Sequence, residues 1–232
     1  PDEEKIKELK KDLFNFGFRI KGKLDDIKPK AFSQILEDVK GKDEERVVSN
    51  LLLRTLKVAR YEAENKGHFG ISSKYYCHFT SPIRRYPDLF IHRVISKYLD
   101  ANYNLPETFK EKYAKQAEKY AESSSECEQI ATKAERESED IKKAEYMQNK
   151  IGEEYEGIIS SITSFGMFVE LENTVEGLVR LADMKDDYYI YDDINKTLIG
   201  KETGKIFKLG QKVNIEVVSA DKQTRKIDFI LV

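Results

Sequence analysis

Hydrophobic periodicity changes near Ile151 and Gly152, and this change constrains the fold more than any other feature of the sequence. Before it, apolar residues recur at three- and four-residue spacing over long stretches, which is typical of amphipathic helices. After it, short runs rich in β-branched residues alternate with turn residues, which is typical of strands. We therefore predict an α+β protein of two domains, a mostly α-helical unit at 1–151 and a β unit at 152–232.

Charge and composition exclude several classes of function. The 232 residues carry 40 basic and 42 acidic side chains, a net charge of −2, so the chain is not a uniformly basic nucleic-acid coat. The first 150 residues carry a net +3 and the remaining 82 a net −5. Any polyanion site must therefore be local.

Two further features indicate where the protein resides. No run approaches the roughly 18 consecutive apolar residues that a membrane span needs, so no membrane partner is expected. Cys77 and Cys127 are too few for a disulfide framework, which favours a reducing compartment such as the cytoplasm.

Helices are predicted in five parts of the first unit. A core stripe at 44–66 follows Asp43, a plausible N-cap, and a helix restarts at Pro87. The stretch 106–150 is expected in two pieces, because the serines at 123–125 interrupt it. Shorter helices are predicted at 4–14 and 30–37.

The second unit has the layout of a small barrel. A long acidic, tyrosine-rich insertion at 183–204 follows the third strand. Five short strands with this arrangement are typical of a five-stranded OB-type β-barrel. The predicted strands are 155–162, 167–171, 177–181, 212–220 and 226–232.

Motifs in the barrel give it a family resemblance. The runs GII at 157–159, TSFGMFVEL at 163–171 and EGLV at 176–179 resemble the RNA-binding barrel first described in ribosomal protein S-one. Aromatic side chains of such folds stack on bases, so Phe165 and Phe168 are candidates. Alternation along the strand puts Met167 and Val169 on one face and Phe168 on the other, so Phe168 is the better stacking candidate. One of the two rings can instead belong to the core.

Cationic residues of the barrel can supply phosphate contacts. Arg180 stands where many relatives of the barrel carry a histidine. We therefore expect Arg180 to contact a phosphate, where a histidine ring would stack. A local funnel of cations could guide a single strand in spite of the negative net charge. Its members are Lys205, Lys208, Lys212, Arg225 and Lys226.

A second resemblance covers the helical unit. The run GHFG at 67–70, the run HFTSPIRRYPDL at 78–89 and the following His92-Arg93 are similar to the carboxyl-terminal part of the catalytic domain of the ribonuclease II/R family. AERE at 134–137 and DYY at 187–189 fit the same family. The resemblance implies hydrolysis of single-stranded RNA in the 3′→5′ direction to nucleoside 5′-monophosphates, with two divalent metals, usually Mg²⁺, at the base of a narrow channel.

The resemblance also implies roles for individual residues. Arg84 corresponds to the residue that holds the scissile phosphate, and a guanidinium suits this role because it grips two oxygens and keeps its charge. The alternative is a surface arginine on a loop. Arg85, His78 and Ser81 are candidate RNA contacts, although Arg85 can equally form a salt bridge and His78 can be structural. Ser81 has no evident base partner, so we do not predict a serine nucleophile.

One part of the family pattern is missing. The metal-binding Asp-x5-Asp-x-Asp-Asp motif of the family does not occur here. Asp186 and Asp192, followed by Asp193, have the spacing of the first two aspartates of the motif. They lie in the barrel insertion, however, and are predicted to form a solvated acidic loop. We therefore expect this chain to bind no metal, to be inactive alone, and to be a piece of a longer protein that includes the rest of the catalytic domain.

The sequence leaves two hypotheses from different classes. In the first, the chain is the distal part of a processive 3′→5′ exoribonuclease, with Arg84 as its catalytic residue and the barrel as an RNA feeder. In the second, it is a non-catalytic module that holds single-stranded RNA or an adaptor protein. The apolar faces around 47–56 and Phe69 are expected to lack the part of the protein that covers them. We therefore expect exposed apolar surface.

Overall fold

The computed structural model describes residues 2–22, 27–42 and 44–232, and the first part of this range is α-helical. Within the described residues the α-helices are α1 Glu3–Asn15, α2 Pro29–Val39, α3 Glu45–Thr55, α4 Tyr86–Asp100 and α5 Glu107–Gln148. This confirms the predicted mostly α-helical first unit. Asp43, the predicted N-cap of α3, lies outside the described residues.

The first three helices share one apolar core. Their buried faces follow the three- and four-residue spacing of the sequence, which places apolar side chains on one side of each helix. Phe69, in the loop after α3, adds its ring edge to Phe32 of α2 at a centroid distance of 5.6 Å. The core includes Ile6, Leu9, Leu13, Ile35, Val39, Val48 and Leu52.

Helix α3 is shorter than the predicted stretch 44–66. Leu56 adopts an extended conformation and ends the helix, and Val58 is 76% exposed, so the apolar stripe does not continue. The extended segment is held by another part of the chain, since the Tyr61 N–H donates a hydrogen bond to Ser125 Oγ at 3.0 Å. The helical prediction is therefore wrong beyond Thr55.

Helix α5 continues without a break through the three serines, so the predicted interruption is wrong. Ser125 Oγ donates to the carbonyl of Ala121, one turn earlier, at 2.8 Å. The same hydroxyl accepts the Tyr61 N–H. Serine usually disfavours helix interiors because its hydroxyl competes for backbone groups, but here that hydroxyl is satisfied by one helical and one distant partner.

The second unit is a closed barrel. Its strands are β1 Glu154–Thr163, β2 Gly166–Leu171, β3 Glu176–Arg180, β7 Lys212–Asp221 and β8 Lys226–Leu231, and the insertion between β3 and β7 carries β4 Tyr189–Asp192, β5 Thr197–Gly200 and β6 Ile206–Phe207. The barrel order is β1-β2-β3-β8-β7, with β3 and β8 parallel and the other neighbours antiparallel. This confirms the five-stranded OB-type barrel.

The insertion is a folded layer rather than a loop. Strands β4, β5 and β6 form a three-stranded antiparallel sheet. Tyr189, Leu198 and Phe207 are buried on one face and belong to the barrel core. The acidic loop that the sequence predicts is therefore replaced by a sheet that packs on the barrel.

Helix α5 and ionic contacts from α1 and α3 connect the two units. Ala144 and Met147, near the end of α5, are fully buried in the barrel core. Lys196, in the turn between β4 and β5, pairs with Glu8 at 2.5 Å and with Asp12 at 3.2 Å on α1. Arg46 of α3 pairs with Glu170 of β2.

Apolar side chains remain exposed, both at the predicted places and elsewhere. Phe69 packs on Phe32, and most of the α3 stripe is buried. Leu53 of α3 is nevertheless 66% exposed, and Ile71, two residues after Phe69, is 54% exposed, while α4 adds Leu99 at 50%. Among the described residues, no helix is long and apolar enough to cross a membrane.

Packing in the barrel core should supply much of the stability of the second unit. Phe229 on β8 is fully buried, and its ring fills the space beside Gly177. We expect Phe229→Ala to lower the free energy of unfolding by about 3–5 kcal/mol, because it leaves a cavity. Urea unfolding followed by circular dichroism measures this. Phe165→Ala, at a ring that is 55% exposed, is the matched control and should change the value by less than about 0.5 kcal/mol. Equal losses in both variants would contradict the prediction.

Candidate nucleic-acid interface

A tight turn before α4 presents Arg84. The carbonyl of Ser81 accepts hydrogen bonds from the N–H groups of Arg84 at 3.3 Å and Arg85 at 3.1 Å. Helix α4 then starts with Pro87 in its first turn, which suits proline because that position needs no N–H donor. The Arg84 side chain is exposed and forms no ion pair or hydrogen bond within the part of the chain that the structure describes. Its guanidinium is therefore available to an anion.

Arg85, the next residue, is turned inward. Its Nη2 donates to Asp88 Oδ2 at 2.8 Å, and the Ser81 N–H donates to the same oxygen at 2.7 Å. Asp88 is completely buried. Burial alone would raise the pKa of Asp88, but the hydrogen bonds from Ser81 and Arg85 and the charge of Arg85 hold this pKa below its usual value. A salt bridge, one of the two roles considered for Arg85, is thus present.

His78 lies in an aromatic cluster next to this charged group. The Tyr61 hydroxyl and His78 Nδ1 share a hydrogen bond of 2.9 Å, and the Tyr76 ring meets His78 edge-on at 5.8 Å. Burial, followed by the charge of Arg85, lowers the pKa of His78. Burial, followed by the charge of Glu128 on α5, raises the pKa of Tyr61. Both shifts favour the neutral forms of the two side chains.

The other two histidines have separate partners. His68 contacts the edge of Tyr76 at 5.1 Å. His92 stacks on Phe79 at 4.2 Å and donates Nε2–H to the carbonyl of the same residue at 2.8 Å. Across residues 2–22, 27–42 and 44–232, no three His, Cys, Asp or Glu side chains come together in a group that could hold a metal ion. Ser81 enters the site through its backbone N–H and carbonyl.

The barrel presents the two predicted aromatic residues on one outer edge. Met167 and Val169 are buried, whereas Phe168 is half-buried on the opposite face, as the alternation predicts. Phe165 is more exposed, at 55%, and meets Phe168 edge-to-face at 6.1 Å. Neither ring belongs to the fully buried core. Both rings can therefore reach a flat apolar partner.

Arg180 and Lys212 are exposed but paired. Arg180 lies opposite Gly166 in the β2–β3 register and grips Asp228 of β8 with Nε and Nη2, at 3.0–3.2 Å. Lys212 pairs with Glu156 at 3.3 Å. Exposed pairs of this kind contribute only about 0–1 kcal/mol, so a phosphate group can compete for either cation.

The predicted cationic funnel is partly neutralised. Lys205 pairs with Asp186 at 3.5 Å, and Arg225 pairs with Glu137 of α5 at 2.9 Å. In the described part of the chain, Lys208 and Lys226 have no side-chain ion pair or hydrogen bond. The funnel is therefore weaker than five free charges would be.

Acidic side chains of the insertion stabilise its sheet. Asp192 accepts the N–H groups of Ile194 and Asn195 and caps the turn between β4 and β5. Asp187 accepts from the side chain and N–H of Thr203, and these bonds lower its pKa to about 2. The sequence did not single out Asp187 for this role, because its partners lie about 15 residues later in the chain.

Asp186 and Asp193 also have local partners. The Tyr189 hydroxyl donates to Asp186 at 2.9 Å, and burial together with this bond raises the pKa of Tyr189 to about 12. The Tyr191 hydroxyl donates to Asp193 at 3.5 Å. The Asp186 and Asp193 side chains are exposed, as a solvated acidic segment predicts, but the segment is a folded sheet rather than a loop, and its carboxylates bind neighbouring tyrosines and turn amides.

Comparisons with known proteins match both units in the order in which the chain presents them. The RNB domain model matches residues 1–101, and the S1 RNA binding domain model matches residues 148–231. The chain belongs to the ribonuclease II/R family. The first match contains the whole Arg84 turn, and the second contains the barrel with its insertion.

Curated relatives of this family are similar over most or all of the chain. Ribonuclease R 1 of Lactococcus lactis is 47% identical over 92% of this chain, and Ribonuclease R of Aquifex aeolicus is 42% identical over 100%. Ribonuclease R of Escherichia coli is 36% identical over 100%. The chain spans only 26%, 32% and 29% of the lengths of these three relatives.

Solved structures of the family show the same fold. The apo form of Mycoplasma genitalium RNase R has a TM-score of 0.91 and 29% identity, and the match covers 100% of this chain and 36% of that one. The same enzyme in complex with ribose-methylated single-stranded RNA matches equally well. The helical unit, the barrel and their relative placement are therefore similar to those of the Mycoplasma genitalium enzyme.

Two functional candidates were missed by sequence reasoning. Tyr61 was placed in a helix, although it lies in an extended segment beside His78. Asp88 was treated only as part of a motif, although it is the buried partner of Arg85 and Ser81. A carboxylate in the first turn of a helix, three residues after an arginine, was the available signal for the second of these.

The pKa of His78 provides a test of the cluster. We expect the folded chain to titrate His78 below 6.5, because burial and Arg85 disfavour the imidazolium. The unfolded chain then binds more protons between the two pKa values, so the free energy of unfolding should fall as the pH drops below 6.5. An NMR titration of the ring protons, assigned with His78→Asn, measures the pKa. A midpoint at or above 6.5 would contradict the described cluster.

Proposed function

We propose that this chain is part of a processive 3′→5′ exoribonuclease that hydrolyses single-stranded RNA to nucleoside 5′-monophosphates. The observation that carries the proposal is Arg84, which is exposed and has no partner among the described residues, on a turn held by the Arg85–Asp88 pair. This turn lies within the RNB match of a chain that also carries an S1 barrel. The RNA complex of the similar Mycoplasma genitalium enzyme supports single-stranded RNA as the ligand.

In this proposal each candidate residue has a distinct part. Arg84 holds the scissile phosphate and steadies the charge that develops on it. His78 and the backbone of Ser81 line the RNA path beside it. A direct RNA contact by Arg85 stays a prediction, and its bond to Asp88 supports an indirect role.

The barrel supplies the second half of the RNA site. Phe165 and Phe168 stack on bases, while Arg180 and Lys212 exchange their carboxylate partners for phosphate. We keep the division of the chain at 1–151 and 152–232 as part of the proposal, with the first range as the carboxyl-terminal portion of the catalytic domain. The rest of that domain, in the longer protein, is the proposed intramolecular partner.

Divalent metals are required by ribonucleases of this family, and we propose Mg²⁺ for the longer protein. The residues described here do not fit such a site. The acidic side chains that come nearest to the motif, Asp186, Asp192 and Asp193, are bound to tyrosines and turn amides. We therefore assign no step through a metal to this chain.

A cytoplasmic location is also proposed. Cys77 and Cys127 are both free thiols and both exposed, which suits a reducing compartment. The relatives and the candidate RNA site are compatible with this location.

A non-catalytic module that binds an adaptor protein is the second candidate. The outer face of the insertion sheet favours it, because Ile190, Ile199 and Ile206 are neighbours across β4, β5 and β6 and are 36–51% exposed. Such a row of exposed apolar side chains is unusual on a surface that only faces solvent.

Binding and cleavage can be separated in one assay. We expect the purified chain to bind single-stranded RNA labelled at either end, measured by fluorescence anisotropy, without releasing mononucleotides on a gel in Mg²⁺. Arg84→Ala should weaken binding by about 1–3 kcal/mol, since it removes a charge-assisted contact. Arg54→Ala, at an exposed arginine of α3, is the control. Magnesium-dependent release of mononucleotides from the 3′ end would contradict the assignment of the metal site to another part of the protein.

Stacking on the barrel gives a separate expectation. Phe168→Ala and Phe165→Ala should each weaken binding of single-stranded RNA by about 1–3 kcal/mol, because each removes a platform for one base. Phe14→Ala removes an exposed ring of α1 and should leave the affinity unchanged. Titrations with a short oligonucleotide measure all three variants. If both barrel variants bound as tightly as the unmodified chain, the barrel edge would not be the RNA platform.

A further inference from the structure

We infer that Asp88 is a positioning residue that sets the place of Arg84 through the turn at 81–85. This inference rests on the proposed role of Arg84 in holding phosphate. It concerns a residue that does not itself face the RNA, because Asp88 is completely buried.

Burial of Asp88 is exceptional in its helix. α4 carries many apolar residues, yet among its residues Asp88 is the buried one, while Ile95 and Leu99 are exposed. A carboxylate leaves water only at a high cost unless charged or hydrogen-bonding groups compensate it. The position of Asp88 is therefore fixed by its partners and not by apolar packing.

The partners of Asp88 are the two ends of the turn. Its Oδ2 accepts the Ser81 N–H at 2.7 Å and Arg85 Nη2 at 2.8 Å. Within the turn, the Ser81 carbonyl accepts the N–H groups of Arg84 and Arg85. One carboxylate oxygen therefore joins the first and last residues of a five-residue turn to the start of α4.

Arg84 depends on this arrangement because nothing else holds it. Its side chain has no ion pair or hydrogen bond with the described residues, and its neighbour Ile83 is 98% exposed. Its location is thus defined by the backbone alone. If the turn opened, the Arg84 guanidinium would stay charged and accessible but would lose its fixed position. Small displacements of a group that holds phosphate have large effects on binding and on the reaction rate.

Loss of the Asp88 charge should open the turn. In Asp88→Asn the side chain keeps its size, but the inward Arg85 loses its counter-charge, and an amide cannot accept from both donors as strongly as a carboxylate. Asp88 Oδ1 and Arg85 Nε have no hydrogen-bond partner in the described part of the chain, so no second contact replaces the lost one.

The test uses the whole chain and four single substitutions, two of which are also combined. Asp88→Asn is combined with Arg84→Ala in a double-mutant cycle, and Asp100→Asn, at an exposed residue of the same helix, is the matched control. RNA affinity is measured by anisotropy. Hydrogen exchange of the Ser81 amide and ¹⁵N relaxation of the Arg84 amide are measured by NMR without RNA. Arg85→Lys, which keeps the charge, is a milder variant that replaces Asp88→Asn if the latter does not fold.

We expect Asp88→Asn to weaken RNA binding about tenfold, to have no further effect in the Arg84→Ala background, and to speed exchange of the Ser81 amide. Arg85→Lys should act in the same direction with a smaller loss. Equal losses with and without Arg84, or an unchanged Ser81 amide, would overturn the inference. Absence of RNA binding by the unmodified chain would instead reject the proposed function, while the NMR measurements would still decide whether Asp88 orders the turn.

Discussion

The unbroken helix α5 is the element on which the rest of the structure depends. It has 42 residues and is about 60 Å long at roughly 1.5 Å per residue. Near its start, Tyr120 contacts Tyr86 and Phe90 of α4. In its middle, Ser125 holds the extended segment at Tyr61, and near its end Ala144 and Met147 complete the barrel core. Both halves of the proposed RNA site are thus attached to one stiff rod, so their separation is set by its length.

The turn before α4 divides two adjacent arginines between opposite environments. Arg85 is paired with a buried carboxylate, whereas Arg84 faces solvent and has no partner in residues 2–22, 27–42 and 44–232. A buried pair of this kind adds little net stability, because desolvation offsets most of the attraction. What it does provide is a unique geometry, since Asp88 would be left buried and uncompensated if Arg85 moved away. The contact between Arg85 and Asp88 therefore fixes the position of the neighbouring Arg84.

Local pattern predicted much of this molecule, and distant contacts account for the rest. The helices at 4–14 and 30–37 and the five barrel strands were predictable because periodicity, Pro and Gly report on near neighbours. The continuity of α5 was not, because Ser125 is satisfied by Tyr61, which lies 64 residues earlier. For the same reason Arg84 could be identified from its motif, whereas the burial of Asp88 required the fold.

Electrostatics then limits how the chain can hold RNA. The barrel unit is acidic, and several of its cations, such as Lys205, Lys212 and Arg225, are paired with carboxylates. Each phosphate that binds one of them must first displace a carboxylate, so the counterion-release contribution is smaller than the number of cations suggests. Stacking does not have this cost, because the rings of Phe165 and Phe168 need to lose only water. In the proposed function, RNA affinity therefore comes mainly from stacking on Phe165 and Phe168. The scissile phosphate is bound by Arg84, which has no carboxylate partner among the described residues.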